Sequence, residues 1–348
     1  LFGRAQLQRN QARAYLIMSV SLGLCTVLAV LSKENGILLP LLAGVVELTI
    51  FAAPRAAAPR LSRLWVVLFI ALPTLIIAGY LVRFVLIKDF FNIVPPRDFS
   101  LFERLLTQPR VLADYLYHWF IPKLYTTGVF QDHWVKSSGL LSPVSTLLAW
   151  VLHGALITLA FVKRRQWPLL SFAILFYFGG HVIESTVLNL ELYFEHRNYL
   201  PAAFLFLPLV AVLHTRMNTR MFAIVSVAVI AMLGGFTRYS ATVWQDYDIM
   251  VEATARKAPT SSRAQARYAA NLFNSGYQDA SIAVLDRAIE RYPDPLLLVN
   301  RLVLLCHMKR LEKAEFERVG ALLGQTWYDP RMINVYRELT KAVVSDTC

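Results

Sequence analysis

Seven apolar runs of about 20 residues dominate the sequence, and each is long enough to cross the roughly 30 Å hydrocarbon core of a membrane. The chain of 348 residues is 56% hydrophobic and only 17% charged, which does not fit a soluble domain. The sequence therefore predicts an all-α fold, a polytopic transmembrane helix bundle. The predicted spans are 14–32, 36–53, 64–87, 140–162, 167–184, 198–214 and 221–238.

Basic residues predict the orientation of these spans, because Lys and Arg in short loops stay on the cytoplasmic side. Four segments carry eleven basic residues without any Asp or Glu among them, and seven spans place all four on one face. Most of the net charge of +12 is thus a topology signal that requires no nucleic-acid partner. The basic residues are Arg4, Arg9, Arg13, Arg55, Arg60, Arg63, Lys163, Arg164, Arg165, Arg216 and Arg220.

Two regions follow from composition: a transmembrane region over 1–244 and a soluble helical domain over 245–348 on the outer face. Within the first, apolar and aromatic residues at helical spacing near 101–123 predict an amphipathic outer segment at the membrane surface. The three cysteines have no metal-like spacing and predict no disulfide framework. Because the chain opens on Leu1 without a signal peptide, we expect it to be the later part of a longer protein.

The soluble region resembles a tetratricopeptide repeat (TPR), with a helix, a turn at Gly276, a second helix and a stop at Pro293. A weaker second copy places Ala314 and Ala321 33 residues after Ser281 and Ala288. Two such units need a cap, and either the membrane bundle or segment 329–344 is expected to provide it.

Three charged clusters lie where apolar spans meet the outer face. Residues 32–36 read Ser-Lys-Glu-Asn-Gly, 179–185 read Gly-Gly-His-Val-Ile-Glu-Ser, and 191–201 read Glu-Leu-Tyr-Phe-Glu-His-Arg-Asn-Tyr-Leu-Pro. The first is also compatible with a tight hairpin whose Lys and Glu pair with each other. In the second, the glycine pair predicts close helix approach, and one His with one carboxylate is too few ligands for a zinc site. In the third, Arg197 is expected to face outer water and to bind a phosphate, although a surface pair with Glu195 is an alternative.

In order and spacing, these motifs and the TPR-like tail resemble the multi-spanning, TPR-containing family related to the TMTC O-mannosyltransferases. The likeness covers most of residues 14–325 and implies the C-terminal part of a GT-C-like glycosyltransferase module, in a bacterial-like member located in the inner membrane. It implies a sugar transferred with inversion from a polyprenyl-phosphate donor to a protein or envelope glycan on the periplasmic face. The catalytic acidic residue of such enzymes follows their first span, so it is expected upstream of this chain.

For this chain the resemblance implies the lipid-phosphate and sugar-binding half of the site. The implied residues are Arg197, His196, Glu195, Glu184, His181, Lys33 and Glu34. The expected partners are a polyprenyl-phosphate sugar as substrate, membrane lipids, and a protein or peptide on the tail; no cofactor is implied, and a divalent metal is left open.

Two other functions stay open at this stage. The spans could anchor a non-catalytic TPR adaptor for a cell-envelope complex. A lipid-linked polysaccharide ligase or polymerase would instead need basic residues for a diphosphate in the long outer segment, where Arg104 and Arg110 are the candidates.

Overall fold

The computed structural model is all-helical in the residues that it describes, which are 3–4, 7–53, 59–87, 90–92, 98–122, 130–132, 134–324, 332–344 and 348. No strand occurs among them, which confirms the predicted all-α class. The chain forms two compact units, whose boundary in the last long apolar helix falls between Val225 and Ser226. The first unit consists of residues 1–92, 99–120 and 136–225, and the second consists of 93–98, 121–135 and 226–348.

The helices of the first unit follow most of the predicted spans. They are α1 Gln11–Ser32, α2 Leu39–Thr49, α3 (Arg63–Val66, a π turn Val67–Ala71 and Leu72–Ile87), α4 Leu101–Phe120, α5 Ser145–Lys163, α6 Pro168–His181, α7 Leu207–Arg216 and α8 Thr219–Gln245, with 3-10 turns at Glu34–Leu38 and Glu195–Asn198.

Four described helices are long and apolar enough to cross a membrane, namely α1, α3, α5 and α8. Most of the large apolar side chains on α1, α3 and α8 are exposed, as lipid-facing residues would be. The other three predicted spans correspond to the shorter helices α2, α6 and α7. A proline stands in the first turn of each, namely Pro40 in α2, Pro168 in α6 and Pro208 in α7. The π turn of α3 directly precedes Pro73, which removes a backbone donor from the helix.

The short helix α6 is the centre of the first unit. At 14 residues it is about 21 Å long, and almost all of its side chains are buried against α2 and α5. The predicted close approach at the glycine pair is confirmed, because a Cβ on Gly180 would lie 2.9 Å from Cγ of Pro201. Since α6 is apolar all round, it has no wet face and fixes the positions of the elements around it.

The amphipathic helix predicted over 101–123 is observed as α4, Leu101–Phe120. It begins with a capping box, in which Ser100 N–H donates to Glu103 Oε2 and Glu103 N–H donates to Ser100 Oγ. Its buried face includes polar side chains as well as apolar ones, notably Arg104 and Gln108. It packs on α5 and on segment 182–194 rather than on apolar residues alone. Lys123 lies outside the described residues.

Among its described residues, the second unit contains six helices that follow α8 in sequence. These are α9 Tyr247–Lys257, α10 Ser262–Asn274, α11 Gln278–Arg291, α12 Pro295–His307, α13 Lys313–Gly324 and α14 Ile333–Val344. The predicted helix pair is present as α10 and α11, with Gly276 at positive φ between them and with Ser281 and Ala288 buried.

The predicted second repeat differs from the structure at its small residues. Ala314 and Ala321 on α13 are exposed, and Val319 is the buried residue of that helix. The reason is that α12 packs mainly on α14, through Leu302 and Leu339, so α13 does not form the close helix pair that small residues allow. Helix α14 thereby fills the capping role expected of segment 329–344, of which residues 329–331 lie outside the description.

The predicted lack of a disulfide is wrong, because Cys306 and Cys348 form one. Their Cα atoms lie 4.6 Å apart. Cys306 is fully buried on α12, so the bond ties the last residue of the chain to the core of the second unit. Cys25 on α1 is a free, exposed thiol. Sequence spacing does not reveal this pair, because 42 residues separate its members and tertiary packing brings them together.

Candidate functional site

The three charged clusters of the sequence meet at one carboxylate in the first unit. Glu184 Oε1 lies 3.1 Å from Nζ of Lys33 and accepts a 2.6 Å hydrogen bond from the side-chain amide of Asn35. Its Oε2 lies 3.8 Å from Nε of Arg197. We call these four residues, from three segments far apart in sequence, the Glu184 cluster. Lys33 therefore pairs with Glu184 rather than closing a hairpin with Glu34.

Backbone geometry at residues 33–36 explains why Lys33 and Asn35 can reach Glu184. The chain leaves α1 in an extended conformation at Lys33 and enters a 3-10 turn at once. A Cβ on Gly36 would lie 2.2 Å from the carbonyl carbon of Ala29, so only glycine permits this contact with the α1 backbone. The turn fixes the positions of Lys33 and Asn35 at the end of α1.

Arg197 is buried, with about 9% of its side chain exposed, whereas the sequence placed it in outer water. Its Nη1 donates a 2.5 Å hydrogen bond to the carbonyl oxygen of Glu191, and its guanidinium lies 5.6 Å from the centre of the Phe194 ring. Burial follows from the fold of the segment, since Glu191, Phe194 and Glu184 surround the guanidinium. The charge is thus held in place by a carboxylate, a carbonyl and an aromatic ring.

The spacing of His181 and Glu184 suggests that they share a helix face. They do not, because α6 ends at His181. In the turn that follows, the Thr186 hydroxyl donates to the carbonyl of Val182. The buried imidazole of His181 lies within hydrogen-bond distance of two side chains, with Nδ1 3.2 Å from Ser185 Oγ and Nε2 3.3 Å from Asn198 Oδ1. His181 therefore links α6 to the 3-10 turn that carries Arg197.

Glu34, Glu195 and His196 lie at the exposed edge of the site. Partial burial lowers the pKa of His196, and the positive charges of Lys33 and Arg197 lower it further. Its ring packs edge-on against Phe194 at 4.5 Å between centroids. The structure thus brings Lys33, Glu184, Arg197 and His196 close together. Glu34 and Glu195 lie at the edge of this group. His181 contacts Asn198 in the 3-10 turn that carries Arg197.

Arg104 is the residue that sequence reasoning undervalued. It is 1% exposed, and its guanidinium donates to the backbone carbonyls of Glu184, Thr186 and Leu190, with a longer contact of 3.4 Å to that of Glu191. Four carbonyls from one irregular segment therefore converge on one side chain of α4. The signal in the sequence was a single Arg on the apolar side of an amphipathic helix.

Aromatic side chains of α4 complete the support of this segment. The Tyr115 hydroxyl accepts a 2.7 Å hydrogen bond from the backbone N–H of Phe194, and Tyr193 donates a 2.7 Å hydrogen bond to Asp114. Burial raises the pKa of Tyr115 and of Tyr193, so both stay neutral donors or acceptors. Tyr115 is buried in this packing, whereas Tyr117 on the same helix is exposed.

The second carboxylate oxygen of Glu184, Oε2, is buried and accepts no hydrogen bond among the described residues. A buried oxygen without a donor is costly unless water or a ligand supplies one. The positive charge of Arg197, whose Nε lies 3.8 Å from Oε2, offsets part of this cost, while Lys33, which is half exposed, presents positive charge at the surface.

In the described parts of the chain, no group of three His, Cys, Asp or Glu side chains could hold a metal ion. No family model, curated protein or solved structure matches this chain. We therefore infer the function from the geometry of the site.

Proposed function

We propose that the chain is the phosphate-binding part of a membrane glycosyltransferase that transfers a sugar from a polyprenyl-phosphate donor to a protein or envelope glycan. The observation that carries the proposal is the Glu184 cluster, in which Lys33 and Arg197 converge on one buried carboxylate near the ends of apolar helices. Burying ionisable groups near the ends of membrane-spanning helices costs free energy, and such groups mark functional sites. Ammonium and guanidinium groups together suit the phosphate of a lipid whose chain lies among the helices.

The reaction that fits this site is a direct displacement. An acceptor oxygen attacks the anomeric carbon, the bond from that carbon to the phosphate oxygen breaks, and the electron pair leaves with the polyprenyl phosphate. Lys33 and Arg197 stabilise the negative charge that develops on the leaving phosphate, with His196 at the exposed edge. Glu184 holds both cations in position, and a carboxylate not assigned to this chain accepts the proton of the acceptor.

Two observations on the rest of the chain support the outer placement of the tail. The short basic segments predict a cytoplasmic face opposite to it. The Cys306–Cys348 disulfide fits an oxidising compartment such as the periplasm, because cytosolic thiols are kept reduced. We therefore propose that the site and the TPR-like tail face the periplasm of a bacterial inner membrane.

The second candidate is a non-catalytic membrane adaptor, which the helical tail favours because it offers binding surfaces of its own. A polysaccharide ligase is less well supported, since the two basic side chains that it needs are engaged elsewhere. Arg104 binds backbone carbonyls, and Arg110 donates to Ser137 Oγ at 3.1 Å.

Replacement of Lys33 by Gln tests the phosphate role with little risk to the fold, because this side chain is half exposed. Losing one charge-assisted hydrogen bond should weaken binding of undecaprenyl phosphate by about tenfold. Native mass spectrometry of the detergent-purified protein, titrated with the lipid, measures this change. Lys163→Gln is the matched control, as Lys163 ends α5 and pairs with Gln166. Equal lipid binding in both variants would contradict the proposal.

The orientation can be measured with single cysteines in a Cys25→Ser background. We expect a cysteine at Ser275, exposed in the tail, to react with an impermeant thiol reagent added outside intact cells. A cysteine at Arg60, exposed before α3, should react only after the membrane is opened. The opposite labelling pattern would place the tail in the cytoplasm.

A further inference from the structure

A groove in the second unit carries an unusual concentration of arginine. It lies between α9, α10 and α11 and has a volume of about 430 Å³. Arg256 from the last turn of α9 and two arginines of α11, Arg287 and Arg291, line its edge. We call this feature the Arg groove. No acidic side chain lines it among the described residues.

The arginines of the Arg groove are available to a ligand. Arg291 makes no hydrogen bond or ion pair within the described part of the chain. Arg287 uses its Nε to reach the carbonyl of Ala283 at 3.1 Å, which leaves its two terminal amino groups. Arg256 pairs with Glu252 one turn earlier on α9, and an exposed pair of this kind contributes little stability and is easily exchanged.

Two acidic residues of α11 are paired with arginines outside the groove, and the third, the exposed Glu290, does not line it. Asp286 pairs with Arg301, and Asp279 pairs with Arg310. Cations in the last turn of a helix interact favourably with its dipole, which accounts for Arg256 and Arg291 one at a time. It does not account for Arg287 or for the convergence of all three on one groove.

The floor of the Arg groove is apolar and firmly held. Tyr268, Val284 and Ala288 line it, and the last two belong to the buried core of α10 and α11. The side-chain amide of Gln265 donates to the carbonyl of Ala255 at 2.7 Å, which fixes α9 against α10. The groove is therefore preformed, with a hydrophobic base and a positively charged edge.

We propose that the Arg groove binds a short acidic peptide segment of a partner protein. Guanidinium groups bind carboxylates in a forked geometry, and three of them select a segment with several Asp or Glu side chains. The apolar floor with Tyr268 takes a side chain between those acids, whereas a bare phosphate would leave this floor wet. The inference does not depend on the glycosyltransferase proposal, because no residue of the Glu184 cluster contributes to the groove.

The test measures binding of fluorescent heptapeptides to the full chain in detergent micelles. One set carries Asp or Glu at alternate positions around a central Leu, and the matched neutral set carries Asn or Gln in their place. Fluorescence anisotropy should show binding of the acidic set that weakens as salt rises. The double variant Arg287→Gln, Arg291→Gln should lose at least tenfold in affinity, since it removes two charge-assisted contacts.

The control is the double variant Arg310→Gln, Arg318→Gln, which removes two exposed arginines of the same unit that do not line the groove. It should bind the acidic peptides as the unaltered protein does, and so should Lys33→Gln. Equal weakening by both double variants would reduce the effect to general charge and overturn the proposal. Equal binding of neutral peptides, or no binding of the acidic set by the unaltered protein, would overturn it as well.

Discussion

Replacing Arg104 by Met should lower the free energy of unfolding of the first unit by about 4 kcal/mol, because several buried carbonyl oxygens lose their donor together and each unsatisfied one costs about 1–3 kcal/mol. Methionine keeps the length and flexibility of the side chain, so the expected loss reports on the hydrogen bonds rather than on a cavity. The carbonyls of Glu184, Thr186 and Leu190 are the ones affected. Reversible unfolding in mixed detergent micelles, followed by tryptophan fluorescence, measures the change.

Arg110→Met on the same helix is the matched control. Arg110 is partly exposed and donates to a side chain, Ser137 Oγ, rather than to a set of buried carbonyls, so its replacement should cost less, about 1 kcal/mol for each hydrogen bond lost. If both variants lost the same stability, Arg104 would not be the anchor of segment 184–191. The comparison also changes how a loss of activity in Arg104 variants is interpreted, since such a loss follows from misplacement of Glu184 and gives no support to a diphosphate-binding ligase.

The Arg104 anchor connects the fold to the proposed chemistry in two steps. Arg104 fixes the backbone of segment 184–191 from α4, and that segment then presents Glu184 and the carbonyl of Glu191 to Arg197. Lys33 and Asn35 approach the same carboxylate from the end of α1. Buried charged side chains such as Glu184 and Arg197 need such internal partners, because bulk water does not solvate them.

Much of the helical fold could be predicted from the sequence because its signal is local. The predicted spans 14–32, 64–87, 140–162 and 221–238 match the long apolar helices α1, α3, α5 and α8, and the 3.6-residue period of apolar residues predicts α4. The shorter helices were overestimated, since hydropathy does not record where a helix ends. Helix α6 ends at His181 and α7 begins at Leu207, with Pro208 in its first turn, whereas the predicted spans continue to 184 and begin at 198.

The site was predictable in its members but only partly in its contacts. The motif residues Lys33, Glu184 and Arg197 do converge. Asn35 and Asn198 stand in the same motifs, but their side-chain contacts are not predicted from the sequence. Their roles depend on tertiary contacts across 149 and 17 residues, which no spacing rule contains. Arg197 was expected in water because charge alone suggests exposure, whereas the surrounding carbonyl and carboxylate allow its burial.

The tail shows the same limit in its disulfide. Cys306 belongs to the core that α12 forms with α14, through Leu302, Leu339 and Ala342. Cys348 follows α14 and is exposed, so the bond depends on how α14 docks. A cross-link between positions 42 residues apart removes entropy from the unfolded chain, and the loop-closure relation puts its contribution at about 4 kcal/mol.

Replacing Cys348 by Ser should therefore lower the free energy of unfolding of the second unit by about 4 kcal/mol. Cys348 is the better partner to replace, because a serine at the fully buried Cys306 would add an unsatisfied hydroxyl. Denaturation followed by far-UV circular dichroism measures the loss, and reducing agent should lower the stability of the unaltered protein to that of the variant. Cys25→Ser, which removes the free thiol of α1, should leave this transition unchanged.

Counting thiols with a maleimide in SDS without reductant gives an independent measurement: the unaltered chain should take one label and Cys348→Ser two. Three labels on the unaltered chain, or stability that is indifferent to reductant, would show that the bond does not tie the chain end to α12.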